Sequence, residues 1–311
     1  MNVVVVGAGI AGLVAARELA ANGVEVRLVD KGRSVGGRLA TRRIGGAHLD
    51  HGAQFFTVRT PAFQARVDEW IERGVVHVWN HGFESDDGHP RYVGSAGMNS
   101  IAKDLAVGLD IETSTMAFTV RPADGDHRWH VVIDDGTVRP ADVVILTSPI
   151  PQSLALLVDA GVEFDGSPMR TEYDRTIGLL TTLDRPAPLP ASGGVQSDDG
   201  FFTFIGDNAS KGISAEPAVT FHANAAWSEE HWDDDDLLDQ LREAATPWLG
   251  EASIVEAQVK KWRLATPRTI WPDPCWATAD GSIVLAGDAF AGPKVEGAHN
   301  SGLAAAHSLL A

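Results

Sequence analysis

The stretch "VVVVGAGIAGLVAARELAANGVEVRLVD", Val3 to Asp30, decides the fold. Val3 to Val6 is an unbroken β-branched run, the pattern of a strand buried on both faces of a parallel sheet, and Gly7-Ala8-Gly9 ends it abruptly. Ile10, Leu13, Val14 and Leu19 then fall on a helical stripe with alanines between them, until Asn22-Gly23 stops the helix. A second strand, Val24 to Val29, finishes on Asp30. This βαβ unit carries G-x-G-x-x-G as Gly7, Gly9 and Gly12. Gly7 permits the tight turn, Gly9 lets the backbone approach a pyrophosphate where Ile10 and Ala11 open the helix, and Gly12 lets the helix sit close on the strand. Asp30 stands at the offset that reaches ribose hydroxyls. A packing turn without ligand is the bland alternative, but the flanking strand, helix and acidic residue favour a bound dinucleotide.

The next residues narrow the choice. In "DKGRSVGGRLATRR", Asp30 to Arg43, a second glycine pair, Gly36-Gly37, and Arg38 follow the acidic residue directly, where an NAD dehydrogenase normally enters another crossover. Gly37 and Arg38 place further donors on the same pyrophosphate, as a larger, permanently held cofactor requires. Lys31 and Arg33 either touch the adenosine or are solvated, and Arg42 and Arg43 read as exposed hairpin charges.

The chain has 311 residues and 44% hydrophobic content, enough for one large domain or two moderate ones. With 25 Lys and Arg against 42 Asp and Glu, its net charge of -17 disfavours nucleic acid and anionic membranes as partners. No apolar run reaches the ~20 residues of a membrane span, and the opening lacks a signal-peptide pattern, so a cytoplasmic location is expected. Cys275 is the single cysteine and excludes an internal disulfide. No metal-ligand spacing is found, and Asp233 to Asp236 reads as solvated helix-start charge.

Taken together, "GAGIAG", Asp30 and "GGRLAT" resemble the FAD-binding start of the amine oxidase-like flavoproteins. "DHGAQFFT" (Asp50 to Thr57), "KKWRLATP" (Lys260 to Pro267) and "GDAFAGPKVEGAHNSGLAAA" (Gly287 to Ala306) are similar to the renalase branch of that superfamily. The resemblance implies FAD, and because Cys275 in "WPDPCWAT" does not match the cysteine through which some members attach the flavin, the FAD is expected to be noncovalent. The resemblance also implies that Asp288 meets the ribityl and pyrophosphate region, and that Val295, Glu296 and Ala298 lie where a helix N-terminus faces the flavin. Met116 matches a position whose backbone brackets the adenine. Gln54 is placed near the flavin as well.

The expected fold is α/β: a Rossmann-like FAD-binding domain with an N-terminal βαβ unit, plus an inserted α+β substrate domain built on an antiparallel sheet. The FAD-binding parts are placed at 1–57, 94–150 and 260–311, and the substrate domain at 58–93 and 151–259. Strands are expected over Ile111–Val120, Trp129–Ile133, Ala141–Thr147, "TIGLLTTL", "FFTFIG", "AVTFHANA" and Ser282–Ala286. Helices are expected over "GMNSIAKDLA", over "SEEHWDDDDLLDQLREAATPWLG" and from near Gly297.

For the renalase branch the implied reaction is hydride transfer from 2- or 6-dihydronicotinamide isomers of NAD(P)H to FAD, then to O2 as hydrogen peroxide. Such a donor needs a flat aromatic cavity and polar groups for its carboxamide, with hardly any general base. The candidates are Gln54, Phe55, Phe56, His222, Trp262, Arg263 and Asn300, each of which also has an ordinary packing or ion-pair reading. The strand "YDRTIGLLTTL" offers Arg175 where amine oxidases commonly carry a lysine, which disfavours an amine substrate. An amine oxidase or desaturase on the same fold, and a noncatalytic flavin-binding protein, are the competing readings.

Overall fold

A computed structural model describes residues 1–163, 171–290 and 292–311. The chain forms two compact units: residues 1–37, 102–172 and 266–311 make the first, and residues 38–101 and 173–265 the second.

The first unit is built on a six-stranded sheet ordered Trp276–Ala277, Ile283–Leu285, Val143–Leu146, Asn2–Val6, Glu25–Val29 and Asp110–Glu112. All neighbours are parallel except the antiparallel edge pair at Trp276–Ala277. Val3 to Val6 and Val143 to Leu146 are buried throughout, which is why these segments are apolar without alternation. The helices Ile10–Ala21 and Lys294–Leu310 pack against each other. A smaller antiparallel sheet joins Val138–Ala141, Trp129–Ile133 and Ala117–Pro122.

The second unit is built on a five-stranded sheet ordered Gly194–Gln196, Phe202–Asp207, Ala218–Ala223, Tyr173–Leu183 and Ile254–Pro267, the last strand running on past the division at residue 265. Its first four strands pair antiparallel. The two-residue period of a strand sorts the side chains. Ile177, Leu179, Val219, Phe221 and Ala223 face a core shared with Leu237, Leu241 and Ala245 of the helix Leu237–Leu249. Leu180 and Ala218 face the other way, onto Ile44, Ala47 and Leu49 of the hairpin Thr41–Ile44 and Ala47–Asp50. On that second face Thr220 and His222 follow Ala218, so the alternation delivers polar groups to the hairpin side.

The expected architecture is present, with local differences. The first division falls at 37/38 where 57/58 was expected, because the hairpin of residues 41–50 packs its apolar side on the antiparallel sheet. The span Ile111–Val120 is two strands in two sheets, Asp110–Glu112 and Ala117–Pro122. Between them Ser114 adopts φ 55, and Ser114 and Thr115 donate their N–H groups to the carbonyls of Gly32 and Asp30 at 2.8 and 2.9 Å, drawing the chain out of the sheet. The single helix expected from Ser228 to Gly250 is divided between two, Ala225–Glu230 and Leu237–Leu249, with Asp233 to Asp236 in the break. The last helix begins at Lys294, before Gly297. Among the described residues no helix is long and apolar enough to cross a membrane.

Candidate functional site

In the first unit the glycine motif is assembled as a cradle. Gly7 has φ 107, open to glycine at no steric cost, and its N–H donates to Val29 O at 2.9 Å, tying the first strand's end to the second. A Cβ on Gly12 would collide with the Gly7 carbonyl oxygen, so the helix approaches the turn only without a side chain there. A Cβ on Gly9 would meet nothing within 4 Å: that face is open space beside the first helical N–H groups, those of Ile10 and Ala11. The second glycine pair closes on the first, since Gly36 N–H donates to Ala8 O at 2.8 Å and Gly37 lies against Gly9. Asp30 holds the cradle's edge, its two oxygens accepting from Ala8 and Gly32 N–H at 2.6 Å each. Lys31 is exposed beside it.

The remaining candidate cofactor residues of this unit come from distant segments. Met116 is half exposed, adjoins the Ser114-Thr115 bonds to the Asp30–Gly32 turn, and accepts at its carbonyl from Asp134 N–H at 2.9 Å. Asp288 is buried at a strand end, after Gly287, whose N–H donates to Ser301 Oγ at 2.8 Å. Val295, Glu296 and Ala298 occupy the first turns of the helix Lys294–Leu310, whose opening residue Lys294 takes the strained φ of 76. Asn300 lies one turn further, its Oδ1 3.0 Å from His299 Nδ1. Cys275 is half-buried, with burial pushing its thiol pKa up.

In the second unit, Gln54, Phe55 and His222 come together as lining of one cavity of about 250 Å³, joined by Gly52, Phe204, Thr203 and the rim residues Gln196, Ser197 and Asp198. Phe55 sits 5.8 Å from Phe204 and 5.2 Å from Phe83, giving an aromatic wall. Phe56, expected at the site, is a core residue: its backbone exchanges hydrogen bonds with Tyr92 at 2.9 and 2.8 Å, and its ring packs on Tyr92 and Phe63. Adjacent residues of an extended chain point to opposite sides, so only one of the two phenylalanines can face the cavity.

Beneath the cavity lies a buried polar network. Asp50 is fully buried; its Oδ1 accepts from Thr41 Oγ1 at 2.6 Å and Met98 N–H at 2.8 Å. Lys211, also fully buried, donates to Gln54 Oε1 at 2.7 Å and stands 3.7 Å from Asp50 Oδ2, with its ammonium over the Trp79 ring. Burial pushes Asp50 up and Lys211 down to about 8, each held back by the other's charge. Asn208 and Thr220 fix the Asp50 backbone, accepting its N–H at 3.1 Å and donating to its carbonyl at 2.8 Å. Burial, then the charge of Lys211, lowers His222 to about 4, and burial lowers His51 to about 3, so both imidazoles are neutral. His51 stacks on Trp262 at 5.4 Å, and Trp262 Nε1 donates to His51 O at 2.7 Å. Trp262 thus braces the segment leading to Gln54. Arg263 is exposed, and Arg38 Nη1 donates to Leu264 and Ala265 carbonyls at 3.4 and 2.9 Å.

Arg175 makes no part of this: it pairs with Glu229 at 3.1 Å and stacks on Trp232. The lysine of the region comes instead from the loop "DNASKGIS", whose polar sequence reads as surface and gives no sign that it folds inward. Asp50, Phe204, Asn208 and Thr220 also escaped the sequence reading. Only the alternation around Phe221, which puts Thr220 beside His222 on one face, could have found one of them.

Residues 5–70 match the model of an NAD(P)-binding Rossmann-like domain, and residues 72–310 that of flavin containing amine oxidoreductase. Renalase of Mus musculus is 30% identical over 174 residues, 51% of this chain and 50% of that protein. Hydroxyneurosporene desaturase of Rubrivivax gelatinosus is 53% identical over 58 residues, 19% of this chain and 11% of its own length. The chain thus spans half or less of these curated relatives. Among solved structures, a putative protoporphyrinogen oxidase from Exiguobacterium sp. 255-15 superposes with a TM-score of 0.70 at 14% identity, covering 99% of this chain and 97% of that one. An oxidoreductase from Methanosarcina mazei gives 0.67 at 13%, covering 98% and 99%. At such identities the likeness is one of fold.

Proposed function

The chain belongs to the flavin-containing amine oxidoreductase family, and on that premise we propose that it is an FAD-dependent oxidase of 2- and 6-dihydronicotinamide isomers of NAD(P)H. The cradle fits the cofactor: the open face at Gly9, the Gly36-Gly37 turn closed upon it and the Asp30 carboxylate at its edge suit a pyrophosphate and ribose. Bound there, FAD would supply a hydride acceptor whose electrons O2 can take up, and the overall balance would be dihydronicotinamide dinucleotide plus O2 and one proton to NAD(P)+ and H2O2. Arg38, Asp288, Val295, Glu296, Ala298 and Met116 are assigned to the cofactor on the resemblance of their segments.

The observation that carries the substrate is the cavity bounded by Phe55, Phe204, Gln54 and His222. Aromatic walls suit a flat ring and a neutral imidazole suits a carboxamide, while the Gln54 amide is held by Lys211 and by the Asp50 and Gly52 carbonyls. Hydride loss turns the ring into an aromatic pyridinium, so no carbon-bound proton has to leave and a neutral His222 suffices. Its task is to bind and orient. Each lost hydrogen bond is worth about 0.5–1.5 kcal/mol, so His222→Ala is expected to raise KM about 2–10-fold with kcat less affected. Aerobic turnover of either isomer should yield NAD(P)+ and H2O2 one for one; absence of both products overturns the substrate assignment.

A second reading has one observation in its favour. Asp198 puts a carboxylate on the cavity rim, which suits a cationic amine. Flavin reduction by primary or secondary amines, weakened in Asp198→Asn, would establish it in place of the first.

A further inference from the structure

The bare glycines of the first turn leave room for a side chain from another strand. A Cβ on Gly7 would lie 2.6 Å from Thr147 Oγ1 and one on Gly12 2.9 Å from it, so the hydroxyl sits where both glycines lack a side chain. Thr147 directly follows the strand Val143–Leu146. Its N–H donates to Val6 O at 2.9 Å, and its Oγ1 lies 3.1 Å from Val6 O and 3.0 Å from Gly7 O. Carbonyls only accept, so the hydroxyl is the donor to both. Glycine gives the Gly7–Ala8 peptide more rotational freedom than any other residue would, so its orientation has to be held from outside. That peptide is planar, with its C=O and N–H pointing in opposite directions. The N–H end donates to Asp30 Oδ2 at 2.6 Å, and Asp30 Oδ1 accepts from Gly32 N–H at 2.6 Å. Asn2–Val6 runs between the two strands that lead to Thr147 and Asp30, so one peptide plane at its end is held at the oxygen from one side and at the nitrogen from the other.

We propose that Thr147 is a positioning residue for the cofactor. By clasping the Gly7 carbonyl it orients the Gly7–Ala8 peptide, and through the Ala8 N–H it holds the Asp30 carboxylate for the ribose of the adenosine half. The inference rests on the reading of this cradle as the FAD site. Each Asp30 oxygen accepts one backbone N–H and retains a lone pair for a ribose hydroxyl, so the carboxylate keeps its binding capacity while its rotation is fixed. Without the hydroxyl, Gly7 O loses this donor and the peptide is free to turn about the bonds of Gly7. Asp30 then gains a choice of orientations, which FAD binding must restrict at a cost in affinity. A methyl at Gly7 would displace the hydroxyl, so this glycine serves the clasp as well as the turn.

The test reads FAD binding and not turnover, so it stands or falls apart from the proposed substrate. The full chain, stripped of FAD, is titrated with FAD, and Kd is read from flavin fluorescence. Thr147→Val, which keeps nearly the same shape and removes the donor, should raise Kd about 2–10-fold, the worth of one hydrogen bond. Thr147→Ser, which keeps the hydroxyl, should bind as wild type does. In an Asp30→Ala background Thr147→Val should change Kd by less than about twofold, because the two residues act along one chain of contacts. Three results overturn the proposal: a Thr147→Val Kd equal to wild type, a loss in Thr147→Ser as large as in Thr147→Val, or the same fold-loss with and without the Asp30 carboxylate. Asp30→Ala that binds FAD as tightly as wild type would overturn the reading of the cradle and the proposal with it; the other outcomes leave that reading standing. Should Thr147→Val fail to fold, Thr147→Ala takes its place, and the same loss and the same dependence on Asp30 are required of it.

Discussion

One methyl group at two neighbouring glycines separates binding from folding. Gly9 has φ -75 and ψ 179, which any residue adopts, and open space where its Cβ would lie. Gly9→Ala is therefore expected to leave the stability of the apoprotein within about 1 kcal/mol of wild type while FAD content falls sharply, because the methyl occupies the pyrophosphate's approach. Gly12→Ala collides with the Gly7 carbonyl and costs stability itself, about 1–3 kcal/mol. Flavin absorbance per chain and apoprotein melting, read side by side, check both. The buried histidines set a pH dependence. His51 and His222 titrate near 3 and 4 when folded but near 6.5 when unfolded, so the unfolded chain takes up their protons first. Their contribution is complete above about pH 6.5 and is lost as pH falls toward 4. Whatever its offset at pH 7, His222→Gln should gain on wild type in stability, measured by urea unfolding, as pH falls through that window, by at most about 1.4 kcal/mol per pH unit. A constant difference would contradict the depressed titration.

Among the elements, the pairing of the helices Ile10–Ala21 and Lys294–Leu310 joins the first part of the sequence to the last. Gly302 makes their contact close, since a Cβ there would collide with the Ala11 carbonyl oxygen. Gly302→Val should lower the melting temperature and FAD content together; retention of both would show that the helices can separate without cost to the cradle. The first of these helices, with its strands, was legible because glycine, β-branched and acidic residues at fixed offsets each answer a local steric demand. The break at Ser114 was not, because it depends on hydrogen bonds to Asp30 and Gly32, residues far away in sequence. Phe55 and Phe56 show the same limit at the site: the sequence marks the pair, but the register with Tyr92 decides which one faces the cavity. Lys211 was hidden for a further reason, as a lysine in a polar loop looks solvated until its buried partners are known.

At the scale of the whole molecule, the proposed reaction has a chain of net charge -17 admit a dinucleotide that carries phosphates. Long-range repulsion slows that encounter, and the Debye length falls from about 30 Å at 0.01 M to about 8 Å at 0.15 M salt. The second-order rate of flavin reduction should therefore rise with ionic strength; a falling rate would reveal a local basic approach strong enough to outweigh the net charge. The cradle in one unit and the Gln54–His222 cavity in the other are joined into one account by the claim that the chain oxidises misplaced dihydronicotinamides. Anaerobic rapid mixing of the FAD-loaded protein with 2- or 6-dihydro-NAD(P) tests it most directly. The flavin's absorbance should bleach within seconds, while ordinary amines leave it oxidised. Flavin that stays oxidised with both isomers, or bleaches with amines instead, would contradict the account.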